Sequence, residues 1–378
     1  MVGGLANLLS HENVVGKLAL VPDFSDASAW IPLLLIPLAV QWWATWYPGA
    51  EPGGGGYIAQ RMLSAKNEKH AVGATLLFNA AHYALRPWPW ILVALCSLVV
   101  FPTLDSIQTA FPHMDASVIG HDLGYSAMLS FLPAGVLGLV IASLIAAYMS
   151  TISTQLNWGS SYVVHDFYHR FVNKNASEKQ LVLIGRLSTV TLMVLSGLLA
   201  LTLQNALQAF DILLQIGAGT GLIFILRWFW SRINAYSEIS AMIVSFLVAL
   251  YFAYFHEYLG FAPIAAHLKL ITGVGITTAA WIAITYLTPR ENDATLKGFY
   301  DLAHPGGPGW KSVGGEDALV NWQVPLGIAA MITGCITVYS ALFSTGYWIY
   351  GKILPAAILT LISIVGVLIL LRLWKGLN

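Results

Sequence analysis

The chain has 378 residues, of which 57% are hydrophobic and only 10% are charged, with a mean hydropathy of +0.70. A soluble domain carries about 25% charged residues, so this composition excludes that class and predicts an all-α polytopic membrane protein. Lys and Arg (18) balance Asp and Glu (18), leaving no basic excess to attract nucleic acid.

Residues 1–30 contain loop chemistry (Pro22-Asp23-Phe24-Ser25-Asp26) and no basic start followed by an apolar core, so no cleavable signal peptide is read there. They are expected to form an extracytoplasmic loop. A chain that opens in a loop and passes straight into a short span reads as the later part of something longer. About nine spans are predicted, at roughly 31–47, 75–102, 132–158, 183–204, 207–230, 237–256, 263–287, 322–344 and 350–373. With the N-terminal loop outside, every Lys and Arg of the 18 except Lys17, Arg86, Lys269 and Lys352 falls on the inner side, which fixes the orientation and places the C-terminus in the cytoplasm. The expected location is the cytoplasmic membrane, of a bacterial cell.

The first span ends in Gln41-Trp42-Trp43-Ala44-Thr45-Trp46-Tyr47-Pro48, and Glu51-Pro52-Gly53-Gly54-Gly55-Gly56 follows. Aromatic residues at this density form either an interfacial belt or the flat walls of a ligand pocket. A span that breaks off into Pro and Gly is either a discontinuous transporter helix or a span followed by an ordinary loop. The second span carries Asn79, His82 and Arg86 on one helical face. An ionisable group at that depth points to a functional site, and a hydrogen-bonded core histidine is the alternative. Arg86 is expected either to snorkel or to pair with an acid such as Asp211. The outer loop 103–131 carries His113 and Asp115.

The third span ends in Ala146-Ala147-Tyr148-Met149-Ser150-Thr151-Ile152-Ser153-Thr154-Gln155-Leu156-Asn157. Burying a hydroxyl in hydrocarbon costs about 1–3 kcal/mol unless it finds a partner. Ala147, Ser150 and Thr151 lie at i, i+3 and i+4 on one face, and two hydroxyls beside a backbone carbonyl suit a small hard cation. The alternative is that these hydroxyls bond back along their own helix or tie two helices together. The amphipathic stretch 159–172 continues this helix and holds His165 and His169, whose better reading is a solvated face. Gly217-Ala218-Gly219-Thr220-Gly221 lies mid-span, where small residues allow close helix packing or a hinge. Arg227–Asn234 reads as an interfacial anchor, and residues 288–321 as an inner loop of mixed charge. Cys96 and Cys335 sit in apolar segments and suggest neither a disulfide framework nor a thiolate metal site.

At Trp42–Asn67, ending in Gln60-Arg61-Met62-Leu63-Ser64-Ala65-Lys66-Asn67, and at Ala147-Tyr148-Met149-Ser150-Thr151 with Gln155 and His165-Asp166-Phe167-Tyr168, the sequence resembles the sodium:solute symporter family. The resemblance implies a leucine-transporter-like core of ten helices in two inverted repeats. Residues 31–232 would be core helices six to ten, and 233–378 four peripheral spans with the cytoplasmic loop 288–321. The first repeat would be a partner outside this chain. Sodium is the implied coupling ion, held by Ala147, Ser150 and Thr151 together with the missing first helix. Substrate contacts would fall among Trp42, Trp43, Trp46, Asn79 and His82. A lysine familiar in the sugar transporters is replaced by His82, and the Pro48–Gly56 stretch is longer than theirs. The implied function is sodium-coupled symport of a small polar solute such as a sugar or amino acid, with no enzymatic activity. Rival expectations are a membrane enzyme using His82 or the outer-loop His113 and Asp115, and a non-transporting membrane sensor or scaffold.

Overall fold

The computed structural model describes residues 2–45, 62–203, 206–320, 322 and 324–374. Among them every regular element is a helix, apart from one isolated bridge between Trp230 and Gly309, and eight of the described helices are long and apolar enough to cross a membrane. A shorter apolar helix, α1 (Ala27–Gln41), runs on through Trp42–Thr45. The first of the nine expected spans is therefore this shorter helix, and the predicted stop at Pro48 and the glycine run after it lie outside the described residues. The long helices are α2 (Glu68–Val100), α3 (Ala134–Val172), α4 (Glu178–Ala200), α5 (Ala206–Leu226), α6 (Ala235–Phe255) and α7 (Ala266–Leu287). After a connector containing α8 (Asp293–Ala303) come α9 (Val324–Ile349) and α10 (Ile353–Trp374).

Local chemistry sets the helix starts. Asp26 caps α1 by accepting from Ser28 N–H at 2.9 Å, and Asn67 caps α2 by accepting from His70 N–H at 3.0 Å. Ser177 and Gln180 form a reciprocal capping box at α4, and Asn234 with Ser237 does the same at α6. Asn292 accepts from Thr295 N–H at 2.8 Å to open α8. Each cap satisfies backbone donors that the first helical turn leaves free.

The chain divides into two compact units, residues 93–209 and residues 2–92 with 210–378. In the first unit α3 and α4 meet where Ser160 donates to the Gly185 carbonyl at 2.8 Å, with Leu192 against Gly159. The amphipathic 159–172 stretch does continue α3, wound there as a π-helix over Tyr162–Val172. The most apolar stretch of α3 buries none of its residues.

The second unit has an internal core. Ile36 of α1 packs on Leu214 and Ala218 of α5 and on Leu270 of α7. Ile223, Phe224, Ile233, Ala241 and Trp281 form a second cluster. The α6–α7 pair is built on residues four apart. Ser237, Ala241, Ser245 and Ala249 are the buried residues over 235–250 of α6, and Gly273, Thr277, Trp281 and Thr285 are among those of α7. Small residues let helix backbones approach closely, which replaces the hydrophobic drive that lipid cannot supply. The pair is closed by Thr285 donating to Ser237 Oγ at 2.7 Å and by Asn234 Nδ2 donating to Thr288 Oγ1 at 2.9 Å. Arg227 at the end of α5 pairs with Glu238 of α6 at 3.2 Å. A parallel logic joins α9 to α10, where Gly366 faces Thr337 and Ser363 donates to the Thr337 carbonyl at 3.2 Å.

Candidate functional site

Along α3 the sequence places three oxygens within one helical turn. Thr151 Oγ1 donates to the Ala147 carbonyl at 3.0 Å, and Thr154 Oγ1 donates to the Ser150 carbonyl at 2.7 Å. Ser150 Oγ has no hydrogen-bond partner among the described residues. Ala147, Ser150 and Thr151 are all exposed. Back-bonding occupies the hydroxyl proton of Thr151, and the Ala147 carbonyl, which also takes the helical N–H of Thr151, has both lone pairs engaged; Thr151 Oγ1 keeps its acceptor capacity. Hydroxyl oxygens with acceptor capacity left, as at Ser150 and Thr151, are of the ligand type that hard cations take.

The residues expected to touch substrate lie in the second unit. Trp43 inserts against α5, with its indole Nε1 donating to the Ala218 carbonyl at 3.1 Å. A Cβ at Gly221 would collide with the Trp43 carbonyl, so glycine is required for this approach. At Gly219 a Cβ would stand 2.6 Å from Ser245 Cβ and 2.9 Å from Thr277 Oγ1. The Gly-Ala-Gly-Thr-Gly run therefore packs α5 against α1, α6 and α7. Trp42 meets Trp43 edge to face at 5.4 Å and leaves 48% of its surface exposed. Trp46 lies outside the described residues.

Asn79 turns inward on its own helix, donating to the Thr75 carbonyl at 2.8 Å. His82 sits in a π-helical stretch, Ala80–Leu85, where Arg86 Nη1 stands 2.9 Å from its Nδ1. Guanidinium can only donate, so Nδ1 accepts and the imidazole proton resides on Nε2. Phe78 stacks on the His82 ring at 4.9 Å, and Arg86 lies 4.8 Å over Trp90. Arg86 is thus committed to His82 and Trp90, its partner on the next turn and the ring beyond, instead of to Asp211. The short i,i+4 reach makes this local pair cheaper in side-chain entropy than a distant one.

Sequence reasoning missed the buried hydroxyl seam of Thr220, Ser245 and Thr277, each buried within the second unit. Its signal was present in the four-residue recurrence of small and hydroxyl residues along α6 and α7. Among the described residues no group of three or more His, Cys, Asp or Glu could hold a metal ion, so His165 and His169 lack a third ligand there.

Comparison with known proteins places this arrangement. The chain is 30% identical over 207 residues to the sodium/myo-inositol cotransporter 2 of Rattus norvegicus, covering 51% of this chain and 30% of that protein. It is 27% identical over 253 residues to the sodium/glucose cotransporter of Vibrio parahaemolyticus, covering 64% and 45%. It is 31% identical over 166 residues to the osmoregulated proline transporter of Bacillus subtilis (strain 168), covering 43% and 32%. The chain thus spans between about a third and a half of the length of these relatives. The sodium:solute symporter family model matches residues 20–245, more than half of the sequence, and so takes in α1 to α5 and the start of α6. Eight helices of membrane length among the described residues make the chain an integral membrane protein, and it belongs to the sodium:solute symporter family, a family of transporters and not of enzymes.

Proposed function

We propose that this chain serves sodium-coupled symport of a small polar solute, with the ion held in part by the Ala147 carbonyl, Ser150 Oγ and Thr151 Oγ1. The observation that carries the reading is their grouping on one turn of α3, within the family-matched region. Three oxygens leave a shell incomplete. The remaining ligands come from a further set of spans, the first repeat of the core, which acts as partner to residues 31–232. Residues 233–378 form four peripheral spans, 1–30 lie outside, and the C-terminus is cytoplasmic.

Solute recognition is assigned to the aromatic end of the first span (Trp42, Trp43, Trp46) and to Asn79 and His82. With Nδ1 engaged by Arg86, His82 presents an N–H donor at Nε2. A donor of that kind, set beside stacked rings, suits a hydroxylated or carboxylated solute. The relatives' solutes, myo-inositol, glucose and proline, all meet that description. Sodium binding favours the outward-open conformation, and it can do so only through a difference in its affinity for the two states.

The test is solute uptake by the longest natural reading frame that contains this sequence, with sodium replaced stepwise by an inert cation. Ser150→Ala combined with Thr151→Ala is expected to raise the sodium concentration for half-maximal uptake by about tenfold or more, equivalent to about 1.4 kcal/mol of ion binding. Sodium dependence unchanged in the double variant removes the site from α3.

A further inference from the structure

We propose that a cavity between the end of α5 and the 288–322 connector is a binding site for a small organic cation of the ammonium class. The cavity measures about 830 Å³. Its walls include the rings of Trp228, Tyr300 and Trp322 and the carboxylates of Asp301 and Asp317, with His304 at its edge. None of its lining residues is among those assigned to sodium and solute, and binding there requires no ion gradient.

The connector is held as a fixed wall. Trp310 Nε1 donates to the Trp228 carbonyl at 3.0 Å, and Ser231 donates to the Gly309 carbonyl through Oγ at 2.7 Å and through its N–H at 3.2 Å. A Cβ at Gly309 would strike the Phe229 carbonyl, so only glycine allows this approach. Gly307 N–H donates to the Ala318 carbonyl at 2.7 Å, and Leu296, Trp310 and Ala318 form a buried cluster beneath. The pocket is therefore shaped before any ligand arrives, which spares the ligand the cost of ordering a loop.

Charge selects the class of ligand. Among the described residues no Lys or Arg lines the cavity, so a phosphate or carboxylate ligand would meet two like charges and no Lys or Arg counter-charge there. The nearby cations are engaged elsewhere or stand off. Arg290 pairs with Asp293, and Lys311 pairs with Glu316 at 2.8 Å. Lys297 precedes Asp301 by four residues yet makes no ion pair with it. Asp301 and Asp317 have no hydrogen-bond or ion-pair partner among the described residues. No group of three ligating side chains forms there among those residues, which argues against a bare metal ion. What satisfies both features is a cation with apolar bulk, since its charge pairs with carboxylates while its methyl or methylene groups lie on ring faces.

His304 adds a further sign. It ends α8 in the left-handed conformation, at φ 45° and ψ 50°, and among the described residues it is the sole non-glycine with positive φ. Glycine fills this helix-ending position without strain. A strained histidine whose ring meets Tyr300 edge to face at 6.2 Å puts an aromatic surface at the cavity edge that glycine could not.

The experiment is calorimetric titration of the detergent-solubilised full chain with tetramethylammonium chloride, against a sodium chloride background of equal ionic strength. Saturable heat is expected. Asp301→Asn with Asp317→Asn, and separately Trp228→Leu, should each weaken it by about tenfold, because each removes one half of the recognition, charge or ring face. These residues are exposed, so the thermal unfolding midpoints should stay close to that of the parent chain. Should the double variant misfold, the Trp228→Leu arm decides alone. Absence of saturable heat overturns the proposal, as does heat that neither variant changes. Saturable heat with myo-inositol that survives the loss of both carboxylates would also overturn it, and would make the cavity a neutral polyol site.

Discussion

Two helices of similar apolar character are used in opposite ways. The most apolar stretch of α3 buries none of its residues, whereas 44% of the corresponding stretch of α5 is buried. On α5 the small residues are consumed by packing, with Gly221 under Trp43 and Gly219 under Ser245 and Thr277. On the 147–154 stretch of α3 the hydroxyls of Thr151 and Thr154 are spent on their own backbone, Ser150 Oγ has no described partner, and Ala147, Ser150 and Thr151 are exposed. Small and hydroxyl residues in a membrane helix therefore have two distinct uses, and the neighbour decides between them. Where a second helix closes on them they are structural.

The comparison is broken most forcefully at Gly221. Gly221→Val drives a branched side chain into the Trp43 carbonyl and should cost about 3 kcal/mol, read as a lower unfolding midpoint of the solubilised chain. A midpoint equal to that of the parent would mean that α1 does not rest on α5. An intermediate effect is expected at Thr285→Val, which deletes the 2.7 Å bond to Ser237 Oγ while keeping the volume. Interhelical bonds of this kind average about 0.6 kcal/mol in membrane helices, and the Ser237→Ala, Thr285→Val double variant should lose little more than Ser237→Ala alone, which also removes the capping-box hydroxyl. The smallest change in stability should come from Thr151→Val on α3. Its hydroxyl bonds only within its own helix, so the unfolding midpoint should move by no more than about 0.5 kcal/mol in equivalent stability. Sodium dependence of uptake should nonetheless suffer, and that split between stability and function separates α3 from α5.

Much of the architecture was legible because lipid imposes simple rules. Runs of apolar residues long enough to cross a bilayer mark the helices, and Asn67, Ser177 and Asn234 mark three of the starts. The mid-span run Gly217–Gly221 was readable as a packing device, because its glycines leave room for a neighbour and for little else. Among the described residues the first span is the apolar helix Ala27–Gln41, which runs on through Trp42–Thr45 and so begins before the hydropathic run 31–47.

Pairings were harder to read. Arg86 had a plausible acid in Asp211 and instead took the imidazole four residues back, a choice that depends on rotamers and on local helix winding. The oxygens of α3 were legible as a group, but sequence alone left open whether they bond to their helix or to an ion. The geometry shows Thr151 bonded to the Ala147 carbonyl and Ser150 Oγ without a described partner. The 288–321 segment read as a loop of mixed charge. Its glycines, prolines and Trp310 instead build a fixed wall, because Gly309 can meet Phe229 backbone to backbone.

That clasp, the bridge from Trp230 to Gly309 with the Trp310 indole on the Trp228 carbonyl, has a practical corollary. With Phe299 of α8 against the Trp228 ring at 5.6 Å and the Trp310 ring at 5.4 Å, it ties α8 to the tail of α5, so a tilt of that tail would carry α8 with it. A reporter dye attached at Lys297, on the solvent side of α8, would then read the rocking of a buried helix from a position that touches no ligand.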